Sequence, residues 1–143
     1  MATDIVQVRL AVINHLLDNW AETPICETGA GGVDITGAEQ GCLFDLDVDF
    51  IEISINTRSR YAAGVSCDSG IRVFAYLDVQ LYTPSGNGTI RLTELESQLS
   101  ALVGRRSLGG AVIRSASNVS APYEFRGRLT KLMSFPIEFY ETK

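Results

Sequence analysis

Apolar residues recur along this chain at two different intervals. From residue 4 to about residue 20 the spacing is helical: Ile5, Val8, Val12, Leu16 and Trp20 form a broad stripe, with Ile13 and Leu17 beside it. Asp4 and Gln7 are placed as a capping box for the free amides of the first turn, and Pro24 stops the helix. Residues 28–41 are rich in Gly, Thr and Asp, have no apolar period and read as a long loop. Residues 44–56 then alternate as a strand does, but the phase changes partway. Phe44, Leu46, Val48 and Phe50 are apolar at even positions, and Ile51, Ile53 and Ile55 at odd ones, which predicts a bulge or kink near Phe50–Ile51.

A second long strand is predicted over residues 70–82, burying Ile71, Val73, Ala75, Leu77, Val79 and Leu81. Residues 57–69 between the two strands hold Arg58, Arg60 and Tyr61 and read as an extended hairpin arm. Thr83-Pro84-Ser85-Gly86-Asn87-Gly88 is a turn. A second helix follows, with Thr93 and Glu96 as its capping box, Leu95, Leu99, Leu102 and Val103 as its stripe, and Gly104 as its stop. Two further strands are expected, near residues 111–119 and over residues 128–140; Pro136 inside the second predicts an edge position or a bulge. The order specifies one α+β domain: a mostly antiparallel or mixed sheet of four to five strands with two helices on one face.

Composition narrows the classes. A chain of 143 residues with 45% hydrophobic content fits one domain with a core of ordinary size. No apolar run approaches the roughly 20 residues of a membrane span, so no membrane partner is expected, and the N-terminus lacks a secretory pattern. Cys26, Cys42 and Cys67 are odd in number and unpaired in spacing, which fits neither a disulfide framework nor a zinc site and suggests synthesis in a reducing compartment. The net charge of −5 argues against a dedicated nucleic-acid binder. The charge is unevenly distributed: residues 1–88 carry four arginines against twelve acids, a net of −8, whereas residues 89–143 carry eight bases against five acids, a net of +3.

Signals for chemistry are weak. His15 is the only histidine and lies within the first helix without a recognisable partner. The Asp45, Asp47, Asp49 run lacks the glycine and glutamate of a calcium loop and reads as a solvated or Arg-paired strand face. Gly29-Ala30-Gly31-Gly32 is not a dinucleotide fingerprint, and Ser85-Gly86-Asn87-Gly88 lacks the lysine of a phosphate loop. No catalytic residue, metal or cofactor is expected.

Nearly the whole chain resembles tail terminator proteins of long-tailed bacteriophages. The likeness rests on the first helix ending in Trp20, the Thr23-Pro24-Ile25-Cys26 segment, two long strands and the turn Leu81-Tyr82-Thr83-Pro84-Ser85-Gly86-Asn87-Gly88. A helix, a strand and the closing Phe135-Pro136-Ile137-Glu138-Phe139-Tyr140 complete it. The glycine-rich segment 28–41 departs from it. The resemblance implies a non-enzymatic subunit, assembled in the bacterial cytoplasm, that forms a hexameric ring at the head-proximal end of the virion tail. Such a ring caps the tail tube, ends its polymerisation and meets the head–neck connector or stopper proteins. DNA would cross its lumen without specific binding. Other readings are another neck or tail-completion subunit, or a small ligand-binding α+β domain. Opposite charges fix register in a heterologous ring contact, so Asp45, Asp47, Asp49, Arg58, Arg60, Tyr61, Arg105, Arg106, Arg126 and Arg128 are candidate interface residues.

Overall fold

The computed structural model describes residues 4–23, 25–27, 33–34, 49–62, 70–84, 86, 88–125 and 127–141. The expected α+β architecture is present, with helices α1 (Ile5–Asn19) and α2 (Gly88–Val103). Asp4 caps α1: its carboxylate accepts from the Gln7 amide at 2.8 Å, and the Gln7 side chain accepts from the Asp4 amide at 3.3 Å. The strands are β1 (Ile25–Glu27), β2 (Val33–Asp34), β3 (Phe50–Ala62), β4 (Ile71–Pro84), β5 (Arg106–Leu108), β6 (Ala111–Ile113), β7 (Asn118–Val119), β8 (Tyr123–Phe125) and β9 (Arg128–Glu141). They form one sheet in the order β2-β1-β3-β4-β9-β6-β5, and β7 and β8 continue along the β6 side of β9. Every pairing is antiparallel except β1 with β3.

One face of the sheet is closed by both helices. Val8, Val12 and Leu16 of α1 and Leu92, Leu95, Leu99 and Val103 of α2 share a core with Ile51 and Ile53, the odd positions of β4 from Val73 to Leu81, and Met133, Phe135, Ile137 and Phe139 of β9. Trp20 lies at the edge of this core, and its indole N–H donates to Thr23 Oγ1 at 2.9 Å. The period-2 burial of β4 and β9 therefore follows directly from their sequence alternation.

Several local expectations are corrected. The sheet has more strands than four to five, because short segments such as β5 and β8 carry too few residues to display a period. β2 lies inside the predicted 28–41 loop. The register is continuous at Phe50–Ile51, opposite Tyr82 and Leu81, and the irregularity falls instead between Thr57 and Ser59. Phe50 is buried against Tyr82, the two rings stacked with centroids 4.4 Å apart, so both faces of the sheet carry buried side chains at this end; Phe44, Leu46 and Val48 lie outside the described residues. Arg58, Arg60 and Tyr61 belong to β3 itself rather than to an arm.

Helix α2 begins five residues before Thr93, whose hydroxyl donates to the Thr89 carbonyl within the helix instead of capping it. At its other end Gly104 N donates to Ser100 O, but it is Arg105 that adopts the left-handed conformation, with φ +60°. β9 is an inner strand, not an edge. Pro136 is tolerated there because its carbonyl accepts from Arg114 N at 2.9 Å, so its missing N–H points towards the gap between β6 and β7.

Candidate interaction surfaces

His15 has a structural position. Its Nε2 lies 2.9 Å from the Leu102 carbonyl, to which it donates, and its Nδ1 faces the Asn19 amide, tying α1 to the last turn of α2. Cys26 lies in β1, while Cys42 and Cys67 fall outside the described residues. Among the described residues no three His, Cys, Asp or Glu side chains converge to hold a metal.

The predicted interface residues separate into distinct places. Asp45, Asp47 and Arg126 lie outside the described residues. Asp49 sits just before β3, at the N-terminal end of α2, and accepts from Arg91 Nε at 2.8 Å. Glu94 and Glu22 approach the same guanidinium at 3.3 and 3.7 Å, so three carboxylates share one cation. The hydrogen bond to Asp49 holds the Arg91 guanidinium above its ordinary pKa, against a smaller opposing effect of burial. The second carboxylate oxygen of Asp49 is buried without a hydrogen-bond partner.

The sheet face away from the helices carries Tyr61, Arg72, Phe74, Tyr76, Glu138 and Tyr140, whereas Arg60, opposite the buried Val73, lies on the helix side. Arg60 pairs with Glu141 at 2.5 Å. Glu138 accepts from Arg72 Nε at 2.7 Å and from Arg114 at 3.3 Å. Burial alone would push the Glu138 carboxyl up; the two guanidiniums outweigh it and hold the group below its ordinary range. Tyr61 meets Phe74 edge-on at 5.8 Å, and Arg72 lies over the same ring at 4.9 Å. Arg58, the residue the bulge displaces from register, lies over the Tyr76 ring at 5.4 Å and beside Ser117, Asn118 and Ser134.

Arg128 does not join a surface patch. It is 1% exposed, and its guanidinium packs 4.8 Å from the Phe50 ring centroid, so its stem and charge belong to the covered end of the open face.

Arg105 and Arg106 do reach the surface, at the C-terminal end of α2. Arg105 Nε donates to Ser115 Oγ at 3.1 Å, and Arg106 donates to the Ala101 carbonyl at 3.4 Å. They rim two shallow concavities of about 560 and 530 Å³; His15 borders one, and Arg114 with Ser115 and Ser117 borders the other. The sequence reading named both arginines but missed the support beneath them. Gly109 and Gly110, both at positive φ, close the β5–β6 hairpin, a Gly-Gly signal flanked by apolar residues that was readable in advance. A Cβ at Gly109 would lie 2.7 Å from Ala11 Cβ, so the hairpin is seated directly on α1.

Helix α1 also carries an apolar seam on its outer side. Val6, Leu10 and Leu17 are 59, 54 and 41% exposed, and Ile13 continues their spacing. Sequence reasoning assigned Leu17 to the core-facing stripe and left Val6 and Leu10 unassigned.

No family model and no curated protein matches this chain. Among solved structures, a protein designated only by a serial number aligns over 98% of this chain and 97% of its own, with a TM-score of 0.58 and 18% identity. That likeness is one of fold.

Proposed function

We propose that this chain is a tail terminator: a structural subunit that assembles into a hexameric ring on the head-proximal end of a long-tailed phage's tail tube. The ring ends tube polymerisation and presents a platform to the neck. The observation that carries this reading is the order of the elements together with the residues at their junctions. A capped helix closes at Trp20, the second of two long antiparallel strands ends in Tyr82-Thr83-Pro84, and a helix and, last in the order, a 14-residue strand follow. This is the order on which the family resemblance rests. The surface supports the same reading, because large aliphatic side chains stand exposed in a row on α1, and at the far end of α2 stand two arginines without a carboxylate partner among the described residues. Both are features expected of a subunit that buries more surface on assembly.

The test is direct. The purified chain should sediment as a six-fold species or convert to one on tail tubes, and tubes assembled in its absence should be longer and uncapped by electron microscopy. A chain that stays monomeric at every concentration and leaves tube length unchanged would refute the proposal.

A further inference from the structure

The two ends of α2 carry opposite, incompletely satisfied charge. At the first turn Glu22, Asp49 and Glu94 share the single Arg91, and one Asp49 oxygen is buried with no donor. Just beyond the last turn Arg105 and Arg106 find only a hydroxyl and a main-chain carbonyl. Neither has a carboxylate partner among the described residues. Fourteen residues of helical rise, about 20 Å, separate Arg91 from Arg105. The sheet order also sets β3, which follows Asp49, four strands from β5, which begins at Arg106. Within one copy these two groups therefore cannot satisfy each other, since they stand at opposite ends of α2.

The helix dipole favours acids at the first turn and bases at the last, which accounts for the signs. It does not account for Arg105 itself. Its φ of +60° is left-handed, a conformation costly for a residue with a Cβ and one that Gly usually fills at a helix end. Keeping an arginine there places a guanidinium at the rim of both concavities, between His15 and Ser115.

We propose that the occupant of this basic concavity is a second copy of the chain, with Arg105 and Arg106 of one subunit seated against the Glu22–Asp49–Glu94 cluster of the next. This rests on the ring reading above and specifies its contact. The two surfaces are different and complementary, so each copy offers one of each, and a closing rotation repeats the contact into a ring. Glu22 and Glu94 are the accessible carboxylates of the cluster, at 44 and 55% side-chain exposure, and Asp49 anchors them through Arg91.

The experiment uses two charge-reversed full chains, Arg105→Glu/Arg106→Glu and Glu22→Lys/Glu94→Lys, with oligomer mass measured by sedimentation and thermal unfolding followed for each. The milder Arg105→Gln/Arg106→Gln and Glu22→Gln/Glu94→Gln pairs stand in for either reversed chain that fails to fold. Each reversed chain alone should need roughly tenfold more protein for half-assembly, because two exposed pairs turn from attractive to repulsive. Mixed one to one they should regain the wild-type mass, since every contact in an alternating six-membered ring again joins opposite charges. With the milder chains, each alone should show a smaller loss in the same direction. A wild-type ring whose variants assemble unchanged, or whose mixture stays disassembled, overturns this contact and leaves the ring standing. A wild-type chain that never assembles overturns both. If the arginine variants keep the ring but lose retention on double-stranded DNA, the concavity belongs to a phosphate backbone and the contact proposed here is wrong.

Discussion

At the scale of single residues, two side chains show how local geometry sets measurable energy. Arg105 stands where glycine is the unstrained choice. Replacing it with Gly should relieve the left-handed strain and forfeit the bond to Ser115, for a net gain in stability of up to about 1 kcal/mol by chemical denaturation of the dilute chain. A clear loss instead would mean that the Ser115 contact outweighs the strain. Glu138 gives a pH dependence. Its carboxyl is held below the ordinary range in the folded chain by Arg72 and Arg114, so it binds a proton less readily folded than unfolded. The stability it contributes is therefore fully present above the unfolded carboxylate range and is lost as pH falls through the lower folded value. Glu138→Gln should be less stable than wild type at neutral pH, with a smaller deficit near about pH 3, below the ordinary carboxylate range. An equal deficit at both values would assign the effect to packing. The strain at Arg105 could not be read from its neighbours, because Gly104 just before it is the residue that sequence rules nominate. The pairing of Glu138 depends on two strands that the sequence does not align.

At the scale of elements, the long periodic segments were legible and the short ones were not. The helix stripe of α1, the capping box at Asp4 and the alternation of β4 and β9 each repeat a signal over several turns or pairs, so one ambiguous residue does little harm. β7 and β8 span two or three residues and gain their order from pairing with β9, which no local pattern announces, whereas the β5–β6 pair has the Gly109-Gly110 turn as its one local signal. Phe50 misled for a related reason. Its apolar character reflects a ring stacked on Tyr82 on the second face, and alternation counts such a residue as a change of phase. The outer seam of α1 separates core from surface in a way that can be measured. Leu16→Ala and Trp20→Ala remove buried side chains and should cost about 2–5 and 3–5 kcal/mol respectively. Leu10→Gln, on the same helix but facing outwards, should move the unfolding of the dilute chain by no more than about 0.5 kcal/mol. A large loss at Leu10 would show that the outer seam is covered within one copy.

At the scale of the whole molecule, the division of charge along the chain was visible from the first, but its meaning depends on the fold. The excess of acids before residue 88 and of bases after it would be irrelevant if the two stretches interleaved over one surface. Instead α2 places Arg91, with its three carboxylates, at one end and Arg105 and Arg106 at the other, while Arg128, a base in the count, is withdrawn into the interior. A contact between opposite charges responds to salt. Exposed pairs across a subunit contact are worth roughly 0–1 kcal/mol each and are progressively screened as the Debye length falls to about 8 Å at physiological ionic strength and 3 Å at 1 M. Half-assembly of the wild-type ring should therefore require more protein as salt rises. The pairs inside each copy, such as Arg60–Glu141 and Lys131–Glu96, are screened by the same ions, so thermal unfolding of the dilute chain must be followed in parallel and its salt response subtracted. In the Arg105→Gln/Arg106→Gln chain the assembly response should flatten while the unfolding response stays as in wild type, because only the contact between copies has lost its cations. If both chains keep the same assembly slope, the salt sensitivity arises elsewhere on the subunit, and the two ends of α2 are not what joins one copy to the next.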